Sequence, residues 1–198
     1  MGNYAKFDKN TSHQNNALRT LIRQLSASFH IGIHPSYASN TDINRLIEEL
    51  TRLESIVGSP INCSRQHFLK LQFPETYQRL IKAGIREDYT MGYANTIGFR
   101  ASIARSFNWY DLSSETETEL RIHPFMFMDV TLKNYMKLPA DKVLDVLRPI
   151  IERSKKVGAE LICIWHNNSF CEQDGWEGWR AVYESILKEI ASRVAKPE

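Results

Sequence analysis

Apolar positions recur along this chain with two different periods, and the switches between them predict its elements. Between Asn16 and Ser26 they follow the three-to-four spacing of one helix face. The same period runs over 42–56, with Asn40 or Thr41 as the expected cap and Gly58 as the stop. A third helix opens at Pro74 in "PETYQRLIKAG" and closes at Gly84, as a first-turn proline and a terminal glycine predict. A long amphipathic helix follows from Pro139 with a kink expected at Pro149, and "GWRAVYESILKEIASRV" forms the closing helix. Between them lie short apolar runs that read as strands: 29–33, "PINCSRQ" through Ser64, "DYTMGY", "LRIHPFMFMD" and "AELICIWHN". Pro124, inside the fourth run, implies a strand start or a bulge. Strands alternating with helices point to an α/β fold, a parallel sheet with helices outside it. No repeat, low-complexity tract or Gly/Ser linker divides the chain, so one domain over 1–198 is expected.

Composition narrows the function classes. With 198 residues, 42% of them apolar, the chain can bury one sizeable core. Its 25 basic and 23 acidic side chains nearly cancel, so neither nucleic acid nor an anionic membrane surface is an expected partner. The first residues are polar and no apolar run approaches a membrane span, which suggests a cytoplasmic chain. Cys63, Cys163 and Cys171 are too few and too scattered for a disulfide framework or a structural zinc cluster.

Chemistry gathers where apolar runs stop. Ile33 is followed by His34, Cys63 by Arg65 and His67, Met128 by Asp129, and Ile164 by Trp165, His166 and Asn167. C-terminal strand ends converge on the mouth of a β/α barrel, or on the switch point of a doubly wound sheet. No glycine-rich phosphate loop follows any of these strands, which weakens a nucleotide reading. In "HIGIHPSY", His30 and His34 would share a zinc ion if they lay on a helix. Gly32 and Pro35 favour extended backbone instead. There the two imidazoles stand roughly 13 Å apart, at about 3.3 Å per residue, too far for one ion.

The segments "IGIHPSY", "SRQHFLKL", "DYTMGYA", "GFRAS", "HPFMFMD" and "IWHN" resemble the polysaccharide deacetylase family of the NodB type. The resemblance runs over about 3–184. It implies a distorted (β/α)7 barrel that removes acetyl groups from a carbohydrate with the help of a divalent metal, usually zinc. It makes His34 the candidate metal ligand, but Ala38 stands where the family's second histidine would be. Arg65 matches the family's arginine that orients a catalytic aspartate, with His67 in place of a proline. His166 matches the general acid. The family's Asp-Asp motif has no match, since only Asp8 precedes His34 and no apolar strand leads to it. The barrel is therefore expected to lack its first strand, which leaves an exposed edge suited to self-association.

Three readings follow: a metal-dependent deacetylase acting on a bacterial carbohydrate, a carbohydrate-binding barrel that has lost its metal, or another barrel hydrolase in which Arg65, His67, Asp88 and Asp129 reshape the site. The expected catalytic set is His166, Arg65, His67 and Asp88, and the expected substrate contacts are Asp129, Trp165, Asn167 and Tyr37. His34, Arg65, His67 and His166 are expected to converge on one pocket. Each has a structural alternative. His34 is equally served by a neighbouring carbonyl or carboxylate, Arg65 by a buried ion pair, and Asp88 and Asp129 by capping a turn. Tyr89, Tyr93, Phe125, Trp165, Trp176 and Trp179 read mainly as core, and His13 and His123 as ordinary.

Overall fold

The computed structural model describes residues 1–191. They divide into two compact units, Met1–Thr90 with Phe107–His123, and Met91–Ser106 with the chain from Pro124 onward.

In the first unit, helix α1 (Asn16–Ser26) starts where the Asn15 side chain accepts the Leu18 N–H, and it buries none of its residues. Helix α2 (Ile43–Val57) packs Leu46, Leu50, Leu53 and Ile56 inward. Its cap is Asp42, whose carboxylate accepts the N–H groups of Asn44 and Arg45. Asn40 and Thr41, the expected caps, instead lie in a 3-10 turn (Ala38–Thr41), and Asp42 is the extended residue that leads out of it. Gly58 ends the helix at φ +84°, where a side chain would be strained. Strand β1 (Cys63–Ser64), helix α3 (Glu75–Lys82), strand β2 (Glu87–Asp88) and the hairpin β3 (Phe107–Asp111) and β4 (Thr116–Ile122) complete the unit. The sheet order is β1-β2-β4-β3, with β1, β2 and β4 parallel and β3 antiparallel to β4.

That hairpin corrects the all-parallel expectation. The Asp111 carboxylate organises its turn by accepting the N–H and hydroxyl of Ser113. The expected strand over 29–33 shrinks to one parallel bridge, Ile33 to Ser64, and the ladder expected in "DYTMGY" covers only its first residue, at Glu87–Asp88.

In the second unit, β5 (Phe127–Met128) lies parallel to β6 (Cys163–Ile164), pairing Phe127 with Cys163 and Met128 with Ile164. Helices α4 (Val143–Lys156, containing Pro149) and α5 (Trp179–Ala191) cover a core of Phe127, Leu132, Leu147, Ile151, Trp179 and Ile186. A 3-10 turn (Ala140–Lys142) precedes α4, so the helix starts after Pro139 rather than at it. "LRIHPFMFMD" is two strands, not one: β4 stops at Ile122 and β5 starts at Phe127, in different sheets. Pro124, with no N–H to give, stands between them. Phe125 is fully buried, and a Cβ on Gly92 would overlap its ring.

The protein is thus a mixed α/β chain with parallel strand pairs and helices. Among the described residues the strands form a four-stranded and a two-stranded sheet, so seven-strand closure is not seen. No described helix is long and apolar enough to cross a membrane.

Candidate functional site

Parallel pairing of β5 with β6 brings the residues that follow each strand side by side. Asp129 comes directly after β5, and His166 two residues after β6. The Asp129 carboxylate is fully buried and receives four hydrogen bonds. Oδ1 accepts from His166 Nδ1 at 2.6 Å and from the Val130 N–H at 2.7 Å. Oδ2 accepts from the His166 N–H at 2.7 Å and from the Ser169 hydroxyl. Burial is the largest single influence on this carboxyl and pushes it up. The hydrogen bonds from His166 and Ser169, with the histidine's charge, outweigh burial and hold it below the usual aspartate range. Asp129 is therefore ionised at neutral pH and fixes both the ring plane and the tautomer of His166. Nδ1 carries the proton, which leaves Nε2 for proton exchange. The His166 side chain is 46% exposed, so this imidazole meets solvent while its partner does not.

The surroundings of the pair divide into frame and rim. Trp165, half-buried, packs with Trp179 and Tyr183, ring centres 6.2 and 5.1 Å away, at the margin of this unit's core. Asn167 is exposed at the start of a 3-10 turn (Asn167–Phe170), and the same turn delivers Ser169 to Asp129. Ser169 was not among the expected site residues. Its only signal is its position three residues after His166.

The first unit holds a second histidine–aspartate pair. Ile33 N–H donates to the Cys63 carbonyl and Arg65 N–H to the Ile33 carbonyl, which sets His34 beside Arg65. His34 Nδ1 then reaches the Arg65 carbonyl at 2.7 Å. The His67 ring lies 5.0 Å from that of His34, and its Nδ1 is 2.9 Å from Asp8 Oδ1. Asp8 also accepts the Tyr37 N–H, and Glu49, buried on α2, accepts the Ser36 N–H. A cavity of about 190 Å³ opens here, lined by Asp8, Lys9, Asn10, His34, Ser36 and His67 with the first two residues of the chain. Asp8, with no strand before it, is held by its hydrogen bonds rather than by a ladder. His30 stands apart, with Nε2 3.7 Å from the Cys63 thiol, a thiol that burial pushes up to about 11.

Arg65 and Asp88 lie deeper. Burial lowers the Arg65 guanidinium from its usual range, with the Asp88 charge partly opposing this. Asp88 is fully buried and accepts from the Ser64 hydroxyl and from both the N–H and the hydroxyl of Thr90. Burial dominates here and raises its carboxyl. His34, His67 and the Arg65 carbonyl are thus grouped in the first unit, while Asp129 and His166 are paired in the second.

The donor types around the first cavity, one carboxylate and two imidazoles, suit a divalent ion. As arranged they do not make a metal-binding set. Asp8 Oδ1 and both Nδ1 atoms are engaged in hydrogen bonds, and no three His, Cys, Asp or Glu among the described residues are grouped to hold an ion.

No protein-family model matches the chain, and no curated protein matches it by sequence. Among solved structures it is similar to a "putative polysaccharide deacetylase" from Mycobacterium smegmatis, with a TM-score of 0.55 and 13% identity, over 87% of this chain. The chain spans 60% of that structure's length. At this identity the likeness is one of fold.

Proposed function

We propose that this chain is a deacetylase-like hydrolase acting on an acetylated carbohydrate, with His166 as its proton-transfer group. The observation that carries the reading is the buried, ionised Asp129 clamping the Nδ1–H of a half-exposed His166. An imidazole held this way takes a proton at Nε2 from the water that attacks the acetyl carbonyl. The Asp129 charge stabilises the imidazolium so formed. The same proton then passes to the departing amine or alkoxide as its bond to the acetyl carbon breaks, and acetate leaves. The fold likeness supports the substrate class, and the dyad supports the reaction type.

The test is acetate release from acetylated chitooligosaccharides and xylan fragments by the wild-type chain and by His166→Ala. Release that falls at least about 100-fold in the variant is expected; release that survives it removes His166 from the mechanism. Ala38, in the place of the family's second ligand, favours a second reading, in which the chain binds the carbohydrate without turning it over. Binding with no release by either protein, with or without added zinc, would select it.

A further inference from the structure

We infer that the first unit carries a saccharide-stacking platform beside the His34–His67 cavity, built to seat a sugar ring that bears a negative charge; this rests on the carbohydrate reading above. The platform is made of Phe7, Tyr37 and Phe68. Their ring centres lie 4.7, 6.0 and 5.8 Å apart, a triangle about the size of one pyranose. Phe68 stands nearly perpendicular to the other two, at 86° and 83°, so the three rings form a corner and not a flat stack.

One face of Phe68 is already covered. His67 stacks on it at 4.6 Å and 6°, while the residue as a whole stays 63% exposed. Phe7 beside it is 43% exposed. The backbone holds this display at an energetic cost: Phe68 and Leu69 follow one another at φ +55° and +52°, a region that non-glycine residues seldom occupy. A packing role would put the Phe68 ring inside, and this conformation keeps it out. The negative face of an aromatic ring favours polarised C–H groups, which a pyranose presents along one side.

Charge narrows the ligand. Lys70 Nζ lies 4.5 Å from the centre of Tyr37, Lys6 Nζ lies 5.3 Å from that of Phe7, and Lys9 borders the cavity. The two carboxylates beside that cavity, Asp8 and Glu49, are buried and already accept hydrogen bonds. The rim therefore offers ammonium groups, without these two carboxylates facing outward to answer them. A uronate fits this arrangement: its ring lies on Phe68 and its carboxylate meets Lys70 and Lys6.

The experiment is calorimetric titration of the full chain with an oligogalacturonate and with a neutral xylo-oligosaccharide of equal length. Wild type is expected to bind the acidic oligomer more tightly, with affinity falling as salt is raised. Phe68→Ala should weaken that binding about tenfold, while Lys70→Gln should remove the preference for the acidic oligomer. Phe7→Ala, at an exposed position, serves as a second platform variant, and circular dichroism checks that each variant is folded. Equal affinity for the two oligomers, no binding of either, or folded Phe68→Ala and Phe7→Ala that bind like wild type would each overturn the proposal. Acetate release measured on the same wild-type protein tells the two failures apart: binding of the acidic oligomer without release fails the hydrolase reading alone, and release without that binding fails the platform alone.

Discussion

Asp88 and Asp129 sit at strand ends in different units, and both are fully buried. Their carboxyl groups nevertheless depart from the usual range in opposite directions. Burial wins at Asp88, where the hydroxyls of Ser64, Thr90 and Tyr77 donate together with the Thr90 N–H. At Asp129 the His166 imidazole, the Ser169 hydroxyl and the His166 backbone N–H together win over burial. Two things differ between the sites, the donors and the half-exposed His166 ring that keeps Asp129 near solvent. A hydroxyl can reverse and accept, so it tolerates a neutral partner, whereas a backbone N–H can only donate. Burial alone therefore does not set the state of a buried acid; the His166 imidazole and the donors beside it keep Asp129 charged.

The sharpest test of this contrast is to place asparagine at each position. In Asp129→Asn either orientation of the amide turns its NH₂ toward a backbone N–H, that of Val130 or that of His166. The dyad also loses its charge. Acetate release should fall by about two to four orders of magnitude, and unfolding stability by about 1 to 3 kcal/mol for the unsatisfied buried donors. His166→Ala removes the exchanging nitrogen but keeps three of the four bonds to Asp129. The same loss of release is expected, with a thermal midpoint lowered by less than roughly 8 °C, about 2 to 4 kcal/mol for a chain of this size. A larger drop would make His166 a structural residue. In Asp88→Asn the Ser64 and Thr90 hydroxyls can turn to accept from the amide. The cost should stay under about 1 kcal/mol, with acetate release unchanged. A collapse of Asp88→Asn comparable to that of Asp129→Asn would break the comparison.

The pH dependence is the smallest effect and separates the two acids by sign. Asp129 is depressed when folded, so its contribution is complete above the ordinary aspartate value of about 3.9 and fades as the pH falls below it. Asp88 is raised, so its contribution favours folding below that value and is lost as the pH climbs through its folded value. Urea midpoints measured from about pH 3 to 7 should show Asp129→Asn flattening the acid limb and Asp88→Asn flattening the decline above about pH 4. Identical profiles for the two variants would contradict the opposed shifts.

Helices were legible in the sequence because their signals are local. The period of α1 and the glycine stop of α2 need no distant partner. The cap of α2 moved to Asp42 because a 3-10 turn, which periodicity does not register, consumed Asn40 and Thr41. Strands were less legible. A two-residue ladder such as Cys63–Ser64 leaves no alternation to read, and "FNWYD" passed unnoticed although a turn of polar residues follows it. Among the candidate residues, the placing of Asp129 and His166 after apolar runs was visible, but their bond spans 37 positions and depends on the β5–β6 register. Asp8 looked idle for want of a strand, yet it is held through the Tyr37 N–H and the His67 ring, neither of them a neighbour in sequence.

The close approach of Gly92 to the Phe125 ring carries a consequence for how this sequence can diversify. The two positions are coupled in size: a side chain at 92 would overlap the ring at 125 unless that ring shifts or is made smaller. That ring fills a fully buried site, so shrinking it first leaves a void that destabilises every intermediate on the path. Drift at either position alone runs uphill, and the pair is expected to change together or to stay as it is.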